Sequence, residues 1–399
     1  MVLGWGRKPD RPCAGRLHVD DLVERAGELK RQLVEYSRQP RFDRPFREML
    51  RQQGEGRLLD EDQAVAVWDT FLLEHRLRNG RTVVEQFVDA RPDLTPQERD
   101  MLLGWRDVVT GVFEVQRREG AGLTVDNLVD DLTYRVRSTA GRWAFRGVPK
   151  RSFLITRLVA VGDEWVTSGP TVVLRRGQRD VAARVALDLS LASPKSVFRN
   201  PEKLARAWEL QREDRARFVE FFGTDLVVVP GNEAQRRLDE FHAFRQQAVL
   251  RAHPEAASRA GRAAAPPLEL PPELVDAETV AFVHDEEEGL DFLAEFGLVE
   301  AAFADPDLLR RRRYREQALS YLHDDSIAPM VLRRLAERHP DTVDVVFRRL
   351  LQRPRFVWAR DGENLLRSLK AEYFARPRLP AVTPVGERLA AYARSSGST

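Results

Sequence analysis

Between residues 112 and 175 the apolar residues leave helical spacing for alternation and then return to it, and this switch constrains the fold more than any other feature of the chain. Leu132, Tyr134 and Val136 alternate with Thr133, Arg135 and Arg137, which is the period of a strand with one buried face. Five strands are predicted, over 112–118, 123–129, 132–138, 152–160 and 164–174, with turns at Gly120-Ala121-Gly122, Asp130-Asp131 and Gly162-Asp163. Short strands joined by tight turns predict a small antiparallel β-barrel of SH3-like or OB-like kind, with Phe113, Val115, Tyr134 and Val136 pointing inward.

The flanks read as helical, so the expected class is α+β. Leu22, Ala26, Leu29, Leu33 and Tyr36 recur every three or four residues and predict a helix over 20–37; a second is predicted over 61–78. Thr95-Pro96-Gln97-Glu98 combines a hydroxyl cap, a first-turn proline and a glutamate three residues after the cap, so a helix is predicted from 96 to 109. Further on, 226–229 reads as a strand followed by a helix over 233–250 capped by Asn232, and 279–283 as a strand leading into a helix from about 286. A chain of 399 residues is long enough for two or three domains. The expected division is a helical N-terminal region (1–110), the small barrel (111–177), an α/β connector (178–250), a linker rich in Ala, Pro and Arg (251–272) and a mainly helical C-terminal domain (273–399).

Charge is balanced overall, with 64 basic and 62 acidic side chains, but it is not evenly spread. Residues 110–177 hold eleven basic and seven acidic side chains, so the surplus lies in the predicted barrel. There Arg142-Trp143-Ala144-Phe145-Arg146 interleaves cations with aromatic rings, and Lys150 and Arg151 follow. Guanidinium groups pair with phosphates and aromatic faces accept stacked bases, so these six charged or aromatic residues are the candidate nucleic-acid contacts. The competing reading is that Trp143 and Phe145 plug one end of the barrel while the arginines stay solvated.

A metal-dependent phosphoesterase is the enzymatic alternative, built from His284 and Asp285 with the following glutamates and from His323 and Asp324. Consecutive residues point in different directions, so such runs chelate poorly, and the working expectation is that they hold no metal. Arg310 to Arg313 are expected to sweep one helical turn, so that at least one faces neighbouring structure and pairs with carboxylates such as those at 286–288; the sharper reading adds a phosphate-binding patch with Arg315.

The single cysteine, Cys13, excludes a disulfide framework and a zinc knuckle, and no apolar run is long enough to span a bilayer. Without a signal-peptide pattern at its start, the chain is expected to be cytoplasmic, to contact no membrane and to need no cofactor. Its oligomeric state is not legible. The 58 arginines against 6 lysines point to a GC-rich, bacterial genome. The order of helical region, barrel from Gly111 to Leu174, and then Phe221-Phe222-Gly223-Thr224-Asp225-Leu226-Val227-Val228-Val229-Pro230 loosely resembles uncharacterised bacterial proteins associated with the SEC-C zinc motif. The Cys-rich tail of that motif is missing, so no metal ligand carries over. The resemblance implies a role in binding other proteins or ribosomal components. The expected function is therefore a non-catalytic binding protein whose basic barrel contacts nucleic acid or a protein partner, with a purely structural adaptor as a further alternative.

Overall fold

The computed structural model describes residues 19–54, 60–141, 143–252 and 268–396, and these form two compact units: those up to 200 together with 385–396, and those from 201 to 384. Arg142 and most of the expected linker lie outside the described residues.

The first unit opens with helices α1 (Val19–Ser37), α2 (Pro40–Gly54), α3 (Glu61–Leu73), α4 (Val83–Asp89) and α5 (Pro96–Gly104). The capping box read at Thr95 is present: its side chain accepts from the Glu98 amide and the Glu98 carboxylate accepts from the Thr95 amide. Asp60 and Thr82 start α3 and α4 in the same way. Helix α3 stops well short of residue 78, because His75 to Gly80 turn back to reach α4, with the Gly80 amide donating to Leu77 O at 2.7 Å and Gly80 at φ +75°. Helix α5 likewise ends before 109, where the first strand begins.

All five strands in the middle of the chain form, as β1 (Val109–Glu119), β2 (Gly122–Asn127), β3 (Thr133–Arg137), β4 (Phe153–Val161) and β5 (Glu164–Leu174). They make one sheet in the order β1-β2-β3-β5-β4, and β1 also pairs with β4. The expectation of a wholly antiparallel sheet is corrected at one ladder: β3 and β5 run parallel, through Val136 opposite Trp165 and Arg137 opposite Val166. A hairpin joins β4 to β5, so when the excursion 138–152 brings β4 antiparallel to β1, β5 is left parallel to β3.

Phe113, Val115, Tyr134 and Val136 are buried on the inner side with Val109, Leu123, Val125, Leu154 and Leu158. On the other side Val159, Val161 and Val166 pack into the core of α1 to α5, and the Trp105 indole donates to Ala160 O at 3.1 Å. A buried charge cluster joins the helices to the strands: Asp69 of α3 accepts from Lys30 of α1 at 2.5 Å, Arg157 of β4 at 2.8 Å and Ser168 of β5 at 2.7 Å. Burial pushes the Asp69 carboxyl up, but Lys30 and Arg157 outweigh it and hold the group below the usual carboxylate range. Helices α6 (Arg179–Ala192) and α7 (Pro194–Val197) follow, and the C-terminal helix Glu387–Ser396 returns to this unit against α6.

The second unit comprises α8 (Pro201–Phe222), β6 (Leu226–Pro230), α9 (Gly231–Ala252), α10 (Pro272–Val275), β7 (Thr279–Asp285), β8 (Gly289–Ala294), α11 (Phe296–Ala304), α12 (Arg312–His323), α13 (Pro329–Arg338), α14 (Val343–Leu351), α15 (Trp358–Leu369) and α16 (Ala371–Ala375). Strands β6, β7 and β8 form an antiparallel sheet. Alternation sends Val229, Val280 and Phe282 into a core with α8 and α9, while Ala281, Val283 and Leu293 enter the core of α11 to α15.

Two boundaries read from sequence are corrected here. A cut between a connector ending at 250 and a domain starting at 273 would divide this sheet, because β6 pairs with β7. The helix expected from about 286 is instead strand β8. The Asp285 carboxylate accepts from the amides of Glu287 and Glu288 at 2.8 and 3.2 Å, and Gly289 at φ +77° completes a hairpin turn. Asn232 does not cap α9, which already begins at Gly231.

Candidate functional site

The excursion 138–152 between β3 and β4 carries the aromatic and basic residues singled out from sequence. Its course is set by the end of β1: the Arg151 amide donates to Val115 O at 2.8 Å, and the Val115 amide donates to Ser152 O at 2.9 Å. Arg151 sits at φ +62°, a conformation that costs a non-glycine residue free energy and that this two-way pairing sustains. Phe145 is only 7% exposed and packs with Val148 in the sheet core. It is therefore not a base-stacking residue, and its place among the nucleic-acid contacts is corrected: as a large apolar side chain it stabilises far more by leaving water.

Trp143 goes the other way. It is 62% exposed, and the Arg146 guanidinium lies 5.0 Å from its ring centroid, a cation–π geometry that presents a flat aromatic face beside a fixed charge. The two residues that the plug reading took together are thus separated, one inside and one outside.

Arg118, at the end of β1, donates to Arg146 O at 2.9 Å and ties the strand to the loop. Sequence reasoning passed over it, although it lies beyond the last inward position of an alternating strand. Lys150 and Arg151 are exposed on the same loop.

Other cations of the sheet are matched: Arg117 pairs with Glu119 at 2.8 Å, Arg135 with Glu164 at 3.4 Å, and Arg137 with both Glu164 and Asp20. Two outward carboxylates are covered by the C-terminal helix, Asp126 by Arg388 and Glu114 by the Tyr392 hydroxyl at 2.7 Å. Among the described residues, no carboxylate is within ion-pair distance of Arg118, Arg146, Lys150 or Arg151. Among the described residues, four cations without a carboxylate partner thus lie on the strand end and the loop that carry the exposed Trp143 indole, with Arg146 against its ring.

The proposed metal ligands are not brought together. His284 and Asp285 are consecutive on β7 and face opposite sides of the sheet. The His284 ring is buried toward α8, with Nε2 3.6 Å from Asp214 Oδ2 and Nδ1 3.3 Å from Asp285 O. Each ring nitrogen already faces an acceptor, so neither is left for a metal or substrate. Asp285 pairs with Arg334 at 3.0 Å on the other side. Asp324 is exposed and accepts from Ser326 at 2.7 Å, while His323 is exposed at the end of α12. Among the described residues, no group of three or more His, Cys, Asp or Glu side chains is arranged to hold a metal ion.

Three of these four arginines pair with carboxylates, but not with those at 286–288, and Arg311 is extended and breaks the turn they were to share: Arg310 meets Asp307, Arg312 meets Glu316, and Arg313 meets Glu278 and Glu295. Glu286 instead meets Arg215, and Glu287 meets Arg378.

Asp214 and Arg245 with His284 line a cavity of about 660 Å³ in the second unit, which the sequence did not reveal. Burial pushes the Asp214 carboxyl up, but His284 and Arg245, which reaches it at 3.1 Å, hold it below the usual range. Burial and the Arg245 charge push His242 on the same wall down. These charges neutralise one another, which makes them a packing device for α8, α9 and β7.

No protein-family model, curated protein or solved structure matches this chain. Among the described residues no helix is long and apolar enough to cross a membrane.

Proposed function

We propose that the chain is a non-catalytic nucleic-acid-binding protein, that its five central strands close into a small barrel of the OB-like kind, and that a single strand lies over the loop 143–151 and the end of β1. The barrel reading is supported by the pairing order, in which every strand has two neighbours and the first pairs with the fourth. The observation that carries the functional reading is the exposed Trp143 backed by Arg146 among unmatched cations. Each base stacked on an aromatic ring contributes about 1–3 kcal/mol, independent of sequence.

The test is fluorescence anisotropy of a labelled single-stranded oligonucleotide at several salt concentrations. Four phosphate contacts, by Arg118, Arg146, Lys150 and Arg151, give log K a slope of about −3 against log salt, or about 50-fold between roughly 50 and 200 mM. Trp143→Ala is expected to weaken binding by about tenfold without changing the slope, and Lys150→Ala with Arg146→Ala to reduce the slope by about half. Parental affinity in both variants, once shown to be folded, would refute the assignment.

Docking of a protein partner is the second reading, favoured by Leu187 and Leu191, one turn apart and exposed on α6, where Val181 is also exposed. An apolar interface of that kind has little salt dependence, and the titration separates the two.

A further inference from the structure

We propose that the helical layer of the first unit carries a site for a small amphipathic organic anion, a carboxylate or phosphate monoester on an apolar body. The cavity has a volume of about 620 Å³ and lies between α2 and the turn from α3 to α4. That is the size of a small-molecule pocket. Phe42 and Met49, both buried in the helical core, and half-buried Leu77 supply an apolar floor. Arg41, Arg44, Arg76 and Arg78 stand around it, with Glu48 as the one carboxylate among the lining residues.

Charge identifies the ligand. Several guanidinium groups of the helical layer and its surroundings meet carboxylates: Arg25 with Glu98, Arg91 with Asp93 at 2.6 Å, Arg106 with Glu85 at 2.5 Å and Arg199 with Asp107 at 2.5 Å. Around the cavity this pattern fails. Among the described residues none of the four arginines has a carboxylate within ion-pair distance, and Glu48 is matched to none of them. Two are held by neutral partners that leave the charge uncompensated. Arg41 donates to the Tyr36 hydroxyl at 2.5 Å and lies 4.7 Å from the Phe42 ring centroid, and Arg76 donates to Gly80 O at 2.7 Å.

Four like charges gathered at one concavity repel each other, and an anion seated there removes that cost while its fork-shaped hydrogen bonds are satisfied. The apolar floor requires that the anion carry a hydrophobic body; an inorganic ion would leave the floor wet. The inference is independent of the sheet surface above, since no residue is shared.

The test is isothermal titration calorimetry of the full chain with three probes: 1-naphthyl phosphate, inorganic phosphate and 1-naphthol. Saturable one-site binding of 1-naphthyl phosphate is expected, at least tenfold tighter than either half-probe. Arg44→Ala with Arg78→Ala, two exposed side chains without a side-chain partner among the described residues, is expected to weaken it at least tenfold at unchanged melting temperature, whereas Trp143→Ala leaves it unaltered. The absence of saturable binding, equal binding of inorganic phosphate, unchanged affinity in the double variant, or displacement of the probe by a single-stranded oligonucleotide would each overturn the proposal.

Discussion

Replacing Asp69 by asparagine tests whether the buried charge cluster joins the helical layer to the sheet. The carboxylate is 3% exposed and receives Lys30, Arg157 and Ser168. Asparagine keeps the volume and an acceptor but removes the charge. Arg157 retains Glu74 at 2.5 Å, so the group left uncompensated is the Lys30 ammonium, which keeps only the neutral Ser168 hydroxyl at 3.1 Å and the Trp105 ring, 5.8 Å to its centroid, among the described residues. Breaking a buried pair from one side costs about 3–5 kcal/mol, and the surviving Arg157–Glu74 pair sets the expectation at the lower end, about 3 kcal/mol.

For a unit of this size that amounts to a fall in melting temperature of about 6–12 °C, measured by differential scanning calorimetry as a shift of this unit's transition. Lys30→Met added to Asp69→Asn removes the orphaned charge and is expected to recover most of the loss. The pH dependence has a defined sign. The folded Asp69 carboxyl lies below its unfolded value of about 3.9, so its contribution is fully present above that pH and is lost as the pH falls through the folded value. The gap between parent and Asp69→Asn should therefore narrow in acid. A variant that melts with the parent at neutral pH, or a gap that widens in acid, would refute the reasoning.

Phe145→Ala is expected to cost about 3–5 kcal/mol in urea unfolding, because it empties a core position and frees the loop that presents Trp143; nucleic-acid affinity should fall with it. Gly111→Ala is expected to destabilise by at least about 1–3 kcal/mol, since its methyl group would meet Asn127 Oδ1 at 2.3 Å while that oxygen accepts from the Val129 amide at 3.1 Å; thermal melting of the variant checks this.

Local periodicity and capping chemistry act within a few residues, which is why α1, the capping box at Thr95 and all five central strands were legible in the sequence alone. The inward set Phe113, Val115, Tyr134 and Val136 follows from the same alternation, because a strand's register fixes which side each residue takes.

What the sequence could not decide involves partners far apart along the chain. The turn at 286–288 looked like an acidic helix start, until the pairing of β7 with β8 made its acids turn acceptors and ion-pair partners. Trp143 and Phe145 are two residues apart and chemically alike, yet one is in the core and the other in water; only the route of the loop against β1 distinguishes them. Among the described residues Arg118 and the cations at 146, 150 and 151 are left without a carboxylate because other groups claim the acids of the sheet, including a C-terminal helix that covers Glu114 and Asp126. The four arginines beside α2 are distinguished by the same matching. Charge pairing is settled by distances in space, so composition and local pattern determined the elements of this protein, and tertiary structure decided which charges were left over to act.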